Sequence, residues 1–416
     1  MREMFSYLFS VKGNDKPCLW TEPMWAIPFN LYTPFMSLFM FSLGVTDVQI
    51  GIILSVFLLS QVVFAVLGGI LTDKYGRRLV TLIGDTLAWS VPALIWAFSQ
   101  NYWWFIAGAI VNGARTVTMV SWFCLWSDDK GPNDEHKTQK FVNWLYISGQ
   151  IAIFFAPIAG FFVARNGVVP VMRVLFIIMF IVMTVKFVIT YFWTEETERG
   201  AQRMRETENT SLWQLFLGYK RVLRQISLSP GILRVTILRS VNGIVTLVTS
   251  TFFALYATQN LGIAEEFMAY FPILRAGIML TFLFLIQSRL NVFKPKNVMF
   301  AGLLVYILAN GLLILTPAMN LTLLLVYVVA EACAVALFQP RLDTQALHAV
   351  RPRERARTLG IYDAITFAVA IPFGYFAGFL SDVDRRLPFV LNIILFVIMM
   401  YFVLSKREKQ PKKSPH

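Results

Sequence analysis

The sequence predicts an all-α integral membrane protein in which twelve transmembrane helices form two pseudo-symmetric six-helix bundles. Three observations carry this prediction. Apolar runs of spanning length recur along the chain, Lys and Arg collect in alternate loops, and the two halves repeat one another in register. Of the 416 residues 57% are hydrophobic and only 15% are charged, a balance foreign to a soluble domain of this size. A helix that crosses the hydrocarbon core needs about 20 mostly apolar residues.

Such runs lie near 20–42, 48–71, 79–98, 103–125, 141–163, 170–192, 232–257, 266–287, 297–316, 321–340, 359–380 and 388–404. The stretch before Lys12 is too short to span and carries Arg2 and Glu3, and no small-residue cleavage site follows it, so the N-terminus is expected to be retained. Of the 37 Lys and Arg, 29 fall in the N-terminal segment, in the loops after the even-numbered runs, and in the tail, and five lie within or at the ends of runs. The opposite loops hold only Arg165, Arg385 and Arg386. That asymmetry orients both termini to the cytoplasm of a plasma membrane, the lipid bilayer being the first expected partner. It also explains the net charge of +13 as topology, so no nucleic-acid partner is expected. Cys18, Cys124 and Cys333 are far apart and form no metal-ligand spacing, so neither a disulfide nor a metal or other cofactor is expected.

The longest loop divides the chain into an N-terminal bundle (1–192), a cytoplasmic linker (193–231), a C-terminal bundle (232–404) and a basic tail (405–416). Within the linker, 212–226 ("LWQLFLGYKRVLRQI") sets Leu212, Phe216, Tyr219, Val222 and Ile226 on the side away from Lys220, Arg221 and Arg224, as an interfacial amphipathic helix would. An ungapped offset of 218 lays "LGVTDVQIGIILSV" (43–56) against "LGIAEEFMAYFPIL" (261–274). The same offset pairs Gly44 with Gly262, Gly160 with Gly378 and Pro170 with Pro388. Two repeats in one orientation predict a substrate site between halves near the midplane.

The loop after the second run reads "GILTDKYGRRL", Gly69 to Leu79. With Gly69, Asp73, Gly76, Arg77 and Arg78 at the defining positions, it resembles the loop motif of the major facilitator superfamily. "LGVTDVQIG" before the second run and "RPRERARTLGIYDA" entering the eleventh are also similar to that family, so the resemblance covers essentially the whole chain. It implies a conformational latch in which Asp73 faces the start of the eleventh span and Arg77 or Arg78 pairs with Asp128. A carboxylate is favoured at a helix N-terminus, and such pairs can break as halves rock apart. The family's drug–proton exchangers usually carry Arg four residues before a Gly in the fourth span, where this chain has Ala109 before Gly113. Their Gly-Pro signature in the fifth span is replaced by Ala156-Pro157, so the antiporter signature is partial.

Ionisable groups at bilayer depth are costly and therefore functional candidates. Arg115, Arg275, Glu331 and Asp363 all fall on runs that line the cavity in the resembled fold. Polar stripes at helical spacing join them: Asn112 with Arg115, Tyr146 with Gln150, Thr246 with Thr249, and Asn30 in the first run. These eight, Asp363 and Glu331 aside, are the expected substrate contacts. Arg115 reads as the anchor of an anionic or hydrogen-bond-accepting group, or else as half of a fixed ion pair. Glu331 reads as a carrier of the coupling proton beside Arg275, or as that residue's permanent partner. Asp363 is a second proton-coupling candidate, with Arg357 as its alternative partner. Lys186 and Arg173 are expected to snorkel from the sixth run, and Asp85 to lie at the interface or join the latch. No His falls in a run, which excludes a buried histidine relay.

The expected protein is a monomeric secondary transporter of a small organic solute, proton-coupled, with uptake and efflux left open. The rival reading is a sensor that keeps the fold and binds a small ligand without moving it. No paired Cys, buried His or phosphate-binding loop supplies an enzyme with a reaction centre.

Overall fold

The computed structural model describes residues 8–128, 130, 135–216, 230–290, 292–348 and 355–405. The chain is helical throughout these segments, as a backbone without water to bond must be. In order, α1 is Asp15–Trp20, α2 Glu22–Tyr32, α3 Met36–Ser42, α4 Asp47–Tyr75, α5 Arg77–Asp85, α6 Val91–Ala97, α7 Tyr102–Asn112, α8 Arg115–Ser127 and α9 Glu135–Ile153. Then follow α10 Ala156–Asn166, α11 Val168–Trp193, α12 Glu198–Thr207, α13 Pro230–Leu255, α14 Tyr270–Thr281, α15 Pro295–Leu315, α16 Leu321–His348, α17 Arg355–Val383 and α18 Leu387–Leu404.

Among the described residues, ten helices are long and apolar enough to cross a bilayer, two fewer than the apolar runs. The runs at 20–42 and 103–125 are the ones missing, because each is broken into pieces. In the first, Pro34 removes an N–H and crowds the turn before it, so a 3₁₀ turn, Thr33–Phe35, separates α2 from α3. In the second, α7 and α8 part at Gly113, which lies so close to α4 that an added Cβ would meet Ser60 Cβ at 2.5 Å. Gly113 and Ala114 keep right-handed helical angles, so the chain continues in the same direction across the break.

Most of the segment read as an amphipathic helix, 217–226 of 212–226, lies outside the described residues; upstream of it α12 forms, capped by Thr197 Oγ1 accepting from Gly200 N at 2.9 Å. The repeat reappears in the backbone: Gly44 and Gly262 both take left-handed angles, φ +79° and +68°, at the turns that open their halves' second spans.

Aromatic side chains fill the core, with Phe39 edge-on to Phe105 at 5.6 Å and Tyr306 stacked on Phe396 at 4.4 Å. Outward stripes are apolar as well. Val174, Ile178, Ile181 and Val185 lie exposed along one face of α11, a surface that only lipid would tolerate.

Candidate functional site

Arg115 opens α8 just after the Gly113 break and turns toward α4. Its Nε donates to Gln61 Oε1 at 3.0 Å, and its guanidinium carbon lies 4.6 Å from the centre of the Phe57 ring. Among the described residues no carboxylate pairs with it. Gln61 is fully buried, and its Nε2 has no hydrogen-bond partner. A buried amide donor without an acceptor thus lies beside a guanidinium whose side-chain partner is that same neutral amide. Neither Gln61 nor Phe57 was singled out in the sequence; the spacing Phe57, Gln61 on α4 is the one-turn signal that would have found them.

The other expected contacts divide by environment. Asn112 is buried and donates through Nδ2 to the Ala88 carbonyl at 2.6 Å, bridging to the neighbouring helix. Thr249 is buried and accepts from Asn392 Nδ2 at 3.0 Å. Asn30 donates to its own helix at the Ala26 carbonyl, 2.8 Å away, and remains half-exposed. Tyr146 and Thr246 are exposed, and Gln150 is half-exposed.

In the C-terminal half Arg275 Nη2 lies 2.7 Å from Glu331 Oε2, an ion pair between α14 and α16. Arg275 Nε and the buried Tyr327 hydroxyl are left without hydrogen-bond partners. About two turns further along α16 from Glu331, Gln339 accepts from Asn242 at 2.9 Å and donates to Asp343 at 3.1 Å. Gln339 and Asp343 were not anticipated from sequence. The Asp363 side chain lies outside the described residues.

The halves close on one another at the end where α4 begins. Gly51 on α4 packs against Gly374 and Gly378 on α17 so tightly that a Cβ on Gly51 would meet the Gly374 carbonyl oxygen at 2.5 Å. Ser55 donates to the Ile371 carbonyl at 2.6 Å and accepts from Tyr375 N at 2.8 Å. Beyond them the buried Asp47 carboxylate accepts from Ser381 at 2.6 Å and from Arg385 Nε at 3.0 Å. Gly160, which the repeat pairs with Gly378, makes the equivalent approach from α10, where a Cβ would meet the Glu266 carbonyl at 2.9 Å.

At the opposite end of α4 the loop motif is fully engaged within the N-terminal half and the linker. Gly76 takes φ +85°, and a Cβ there would meet Glu196 Oε2 at 2.5 Å. The Glu196 carboxylate accepts from the backbone N–H of Arg77 and of Arg78, each at 3.0 Å, and so caps α5. Arg77 Nε bonds Asp128 Oδ2 at 2.8 Å. Arg78, one position on and so about 100° round α5, instead reaches the Tyr191 carbonyl at 2.8 Å and lies over the Tyr191 ring. Asp73 is held by Arg203 of α12 at 2.9 Å, while Lys74 donates to the Thr210 carbonyl at 2.6 Å. Gly69 is half-exposed within α4. Bonds from Arg203 to Asp73 and Glu206 raise the guanidinium's pKa and, in turn, pull the Glu206 carboxyl below its usual range.

The family model described as Major Facilitator Superfamily matches residues 25–291 and, a second time, 237–416. The chain belongs to the major facilitator superfamily. As a member it is a membrane transporter and not an enzyme. Among curated proteins similar to this superfamily member, the tetracycline resistance protein, class B, of Escherichia coli is 28% identical over 148 residues, which are 36% of this chain and 35% of that protein. The quinolone resistance protein NorA of Staphylococcus aureus is 30% identical over 84 residues, 20% of this chain and 21% of its own. The matches thus span about a third or less of the length of these curated relatives. Among solved structures, the nucleoside transporter NupG superposes with a TM-score of 0.71 at 16% identity, covering 95% of this chain and 100% of that one. The POT family transporter PepTSo gives 0.70 at 11% identity, covering 94% and 97%. At such identities the likeness is one of fold, and it extends over nearly the whole superfamily chain.

Proposed function

We propose that this protein is a twelve-span secondary transporter of the plasma membrane, moving a small organic solute with an anionic or hydrogen-bond-accepting group by alternating access. The two six-helix bundles are 1–192 and 232–404, the linker 193–231 and both termini are cytoplasmic, and the working unit is a monomer. One observation carries the reading: beside the Phe57 ring, Gln61 Nε2 is a buried donor without an acceptor, and no carboxylate among the described residues pairs with the Arg115 guanidinium bonded to Gln61 Oε1. A desolvated guanidinium without a counter-charge is costly, so an acceptor supplied by the ligand would be gripped strongly. Phe57 suits an apolar body attached to that acceptor.

Arg275 is the matching anchor in the other half, released when Glu331 takes up a proton; this couples protonation to substrate affinity. Asp363 is a second proton carrier. Asn30, Tyr146, Gln150 and Thr246 line the passage, whereas Asn112 and Thr249 hold its helices in place through their buried bonds. Tight packing at the Asp47 end, with the loop motif's Asp73 held by Arg203 of the linker, supports a state open toward the cytoplasm. Gly69, Asp73, Gly76, Arg77, Arg78 and Asp128 form the latch that closes in the alternate state. The names of both curated relatives, each a resistance protein, support an amphiphilic cargo and outward transport.

Ligand binding raises the melting temperature by an amount set by concentration over affinity. We would compare wild type with Arg115→Ala and Glu331→Gln across amphiphilic drugs, anionic metabolites and lipids, then test each hit by counterflow in liposomes. A hit kept by wild type, lost in Arg115→Ala and exchanged across the bilayer supports the proposal. Binding that Arg115→Ala leaves intact sinks the site, and binding without exchange turns the protein into a sensor.

A further inference from the structure

The chain ahead of the first span, residues 8–20, is seated on the N-terminal bundle at the end that carries the loop motif. Val11, Cys18 and Leu19 are buried in one cluster with Trp126 and Phe141, and Asp15 pairs with Lys130 at 2.8 Å. Asn14 is the joint. Its Nδ2 donates to the Leu125 carbonyl at 3.0 Å and to the Glu195 carbonyl at 2.9 Å, and its Oδ1 accepts from Glu195 N at 2.9 Å. The next residue, Glu196, caps α5 in the loop motif.

The outer side of this segment is apolar and basic at once. Phe9 is 74% exposed and Trp20 46%; their rings meet edge-on at 5.9 Å, and Trp20 Nε1 donates to the Leu8 carbonyl at 3.2 Å. Lys12 and Lys16, between them in sequence, are exposed and have no ion-pair partner among the described residues. Thr21 Oγ1 lies 3.2 Å from Thr190 Oγ1, which sets Trp20 near the level of the exposed Phe192 and Trp193 at the end of α11. Lys186 of α11, expected to snorkel, turns inward to Glu22 at 3.5 Å instead and adds no charge to this surface. Aromatic rings with a polar handle collect where hydrocarbon gives way to headgroups, and ammonium groups at that depth attract anionic lipid.

We propose that residues 8–20 form a binding surface for anionic phospholipid, with Phe9 and Trp20 entering the acyl boundary while Lys12 and Lys16 hold the headgroup phosphates. The rings stand level with the ends of the first and sixth spans, where the bilayer itself supplies the occupant. Through Asn14 the bound lipid steadies the turn at 194–197, and with it the Glu196 cap on the loop motif. Lipid binding is measured without any solute, so this surface stands or falls separately from the transport reading.

Hydrogen–deuterium exchange of the full-length protein tests this in nanodiscs of phosphatidylglycerol against nanodiscs of phosphatidylcholine. Amides of 8–20 should exchange roughly fivefold or more slowly in phosphatidylglycerol, and the double variant Lys12→Gln, Lys16→Gln should abolish that difference. Both lysines are exposed, so the variant should fold. Equal exchange in the two lipids overturns the proposal, as does a difference that the double variant keeps. Asn14→Ala should retain the slowing at 8–12 and lose it at 195–200; slowing at 195–200 that survives in Asn14→Ala overturns the link to the loop motif.

Discussion

Arg203 Nη2 lies 2.9 Å from Asp73 Oδ2, so the loop-motif carboxylate is held by a helix of the linker. The same guanidinium binds Glu206 at 2.7 Å, and Thr207 Oγ1 donates to the Asp73 carbonyl at 3.2 Å. α12 thereby competes for the group that the latch would use.

Arg203→Ala should free Asp73. Arg203 is 41% exposed at this pair, so the lost stability should be no more than ~0.2–1 kcal/mol. The conformational effect should be larger than the thermal one: a cysteine placed near Asp47 should label faster as the latch gains its alternative partner. Unchanged labelling alongside an unchanged melting point would show that α12 does not compete.

Asp47 and Arg385 form the buried lock at the closed end. Arg385→Ala leaves the Asp47 carboxylate, 3% exposed at this pair, with only Ser381 as partner, and should destabilise by about 3 kcal/mol. Adding Asp47→Asn should recover part of that loss, since no uncompensated charge remains. Melting of the two single variants and the double variant gives the coupling directly, and additive losses would contradict the pairing.

Gly378→Ala and Gly277→Ala separate packing from helix propensity. A Cβ at Gly378 would meet the Asp47 carbonyl at 2.7 Å and Gly51 Cα at 2.8 Å, whereas one at Gly277 meets nothing within 4 Å. Overpacking should cost the first variant about 1–3 kcal/mol. The second should gain up to about 1 kcal/mol from helix propensity. Thermal melts in the same detergent decide the ordering; a stable Gly378→Ala would mean that the α4–α17 crossing is loose.

Arg115→Lys keeps the charge and loses the planar fork that holds Gln61 and faces Phe57. Ligand affinity should fall at least about tenfold, or about 1.4 kcal/mol, with Arg115→Ala weaker still. Equal affinity in wild type and Arg115→Lys, measured by calorimetry, would reduce Arg115 to a point charge.

A proline and a glycine explain why the apolar runs outnumber the continuous helices. Pro34 and Gly113 are plain in the sequence, but whether a helix bends, breaks or continues at such a residue depends on what packs beside it, as Ser60 does beside Gly113. The Arg77–Asp128 bond was among the pairings the motif implied. Arg78, named as its alternative, lies against Tyr191 instead, because the side of α5 from which it leaves is settled only when α11 is in place.

Sequence by itself determined the membrane class, the repeat at offset 218 and the identity of the charges that must be accommodated at depth. Composition and periodicity suffice for these, since transfer from water to lipid and the helical turn are properties of short stretches. Tertiary structure alone decided which of the charges are answered. Arg275 finds Glu331, Lys186 turns inward to Glu22, and Arg115 meets a neutral glutamine. Partners that lie 54, 56 and 164 residues apart in sequence meet only through helix packing, and whether a buried charge is paired depends on that packing and not on its own neighbours in the chain.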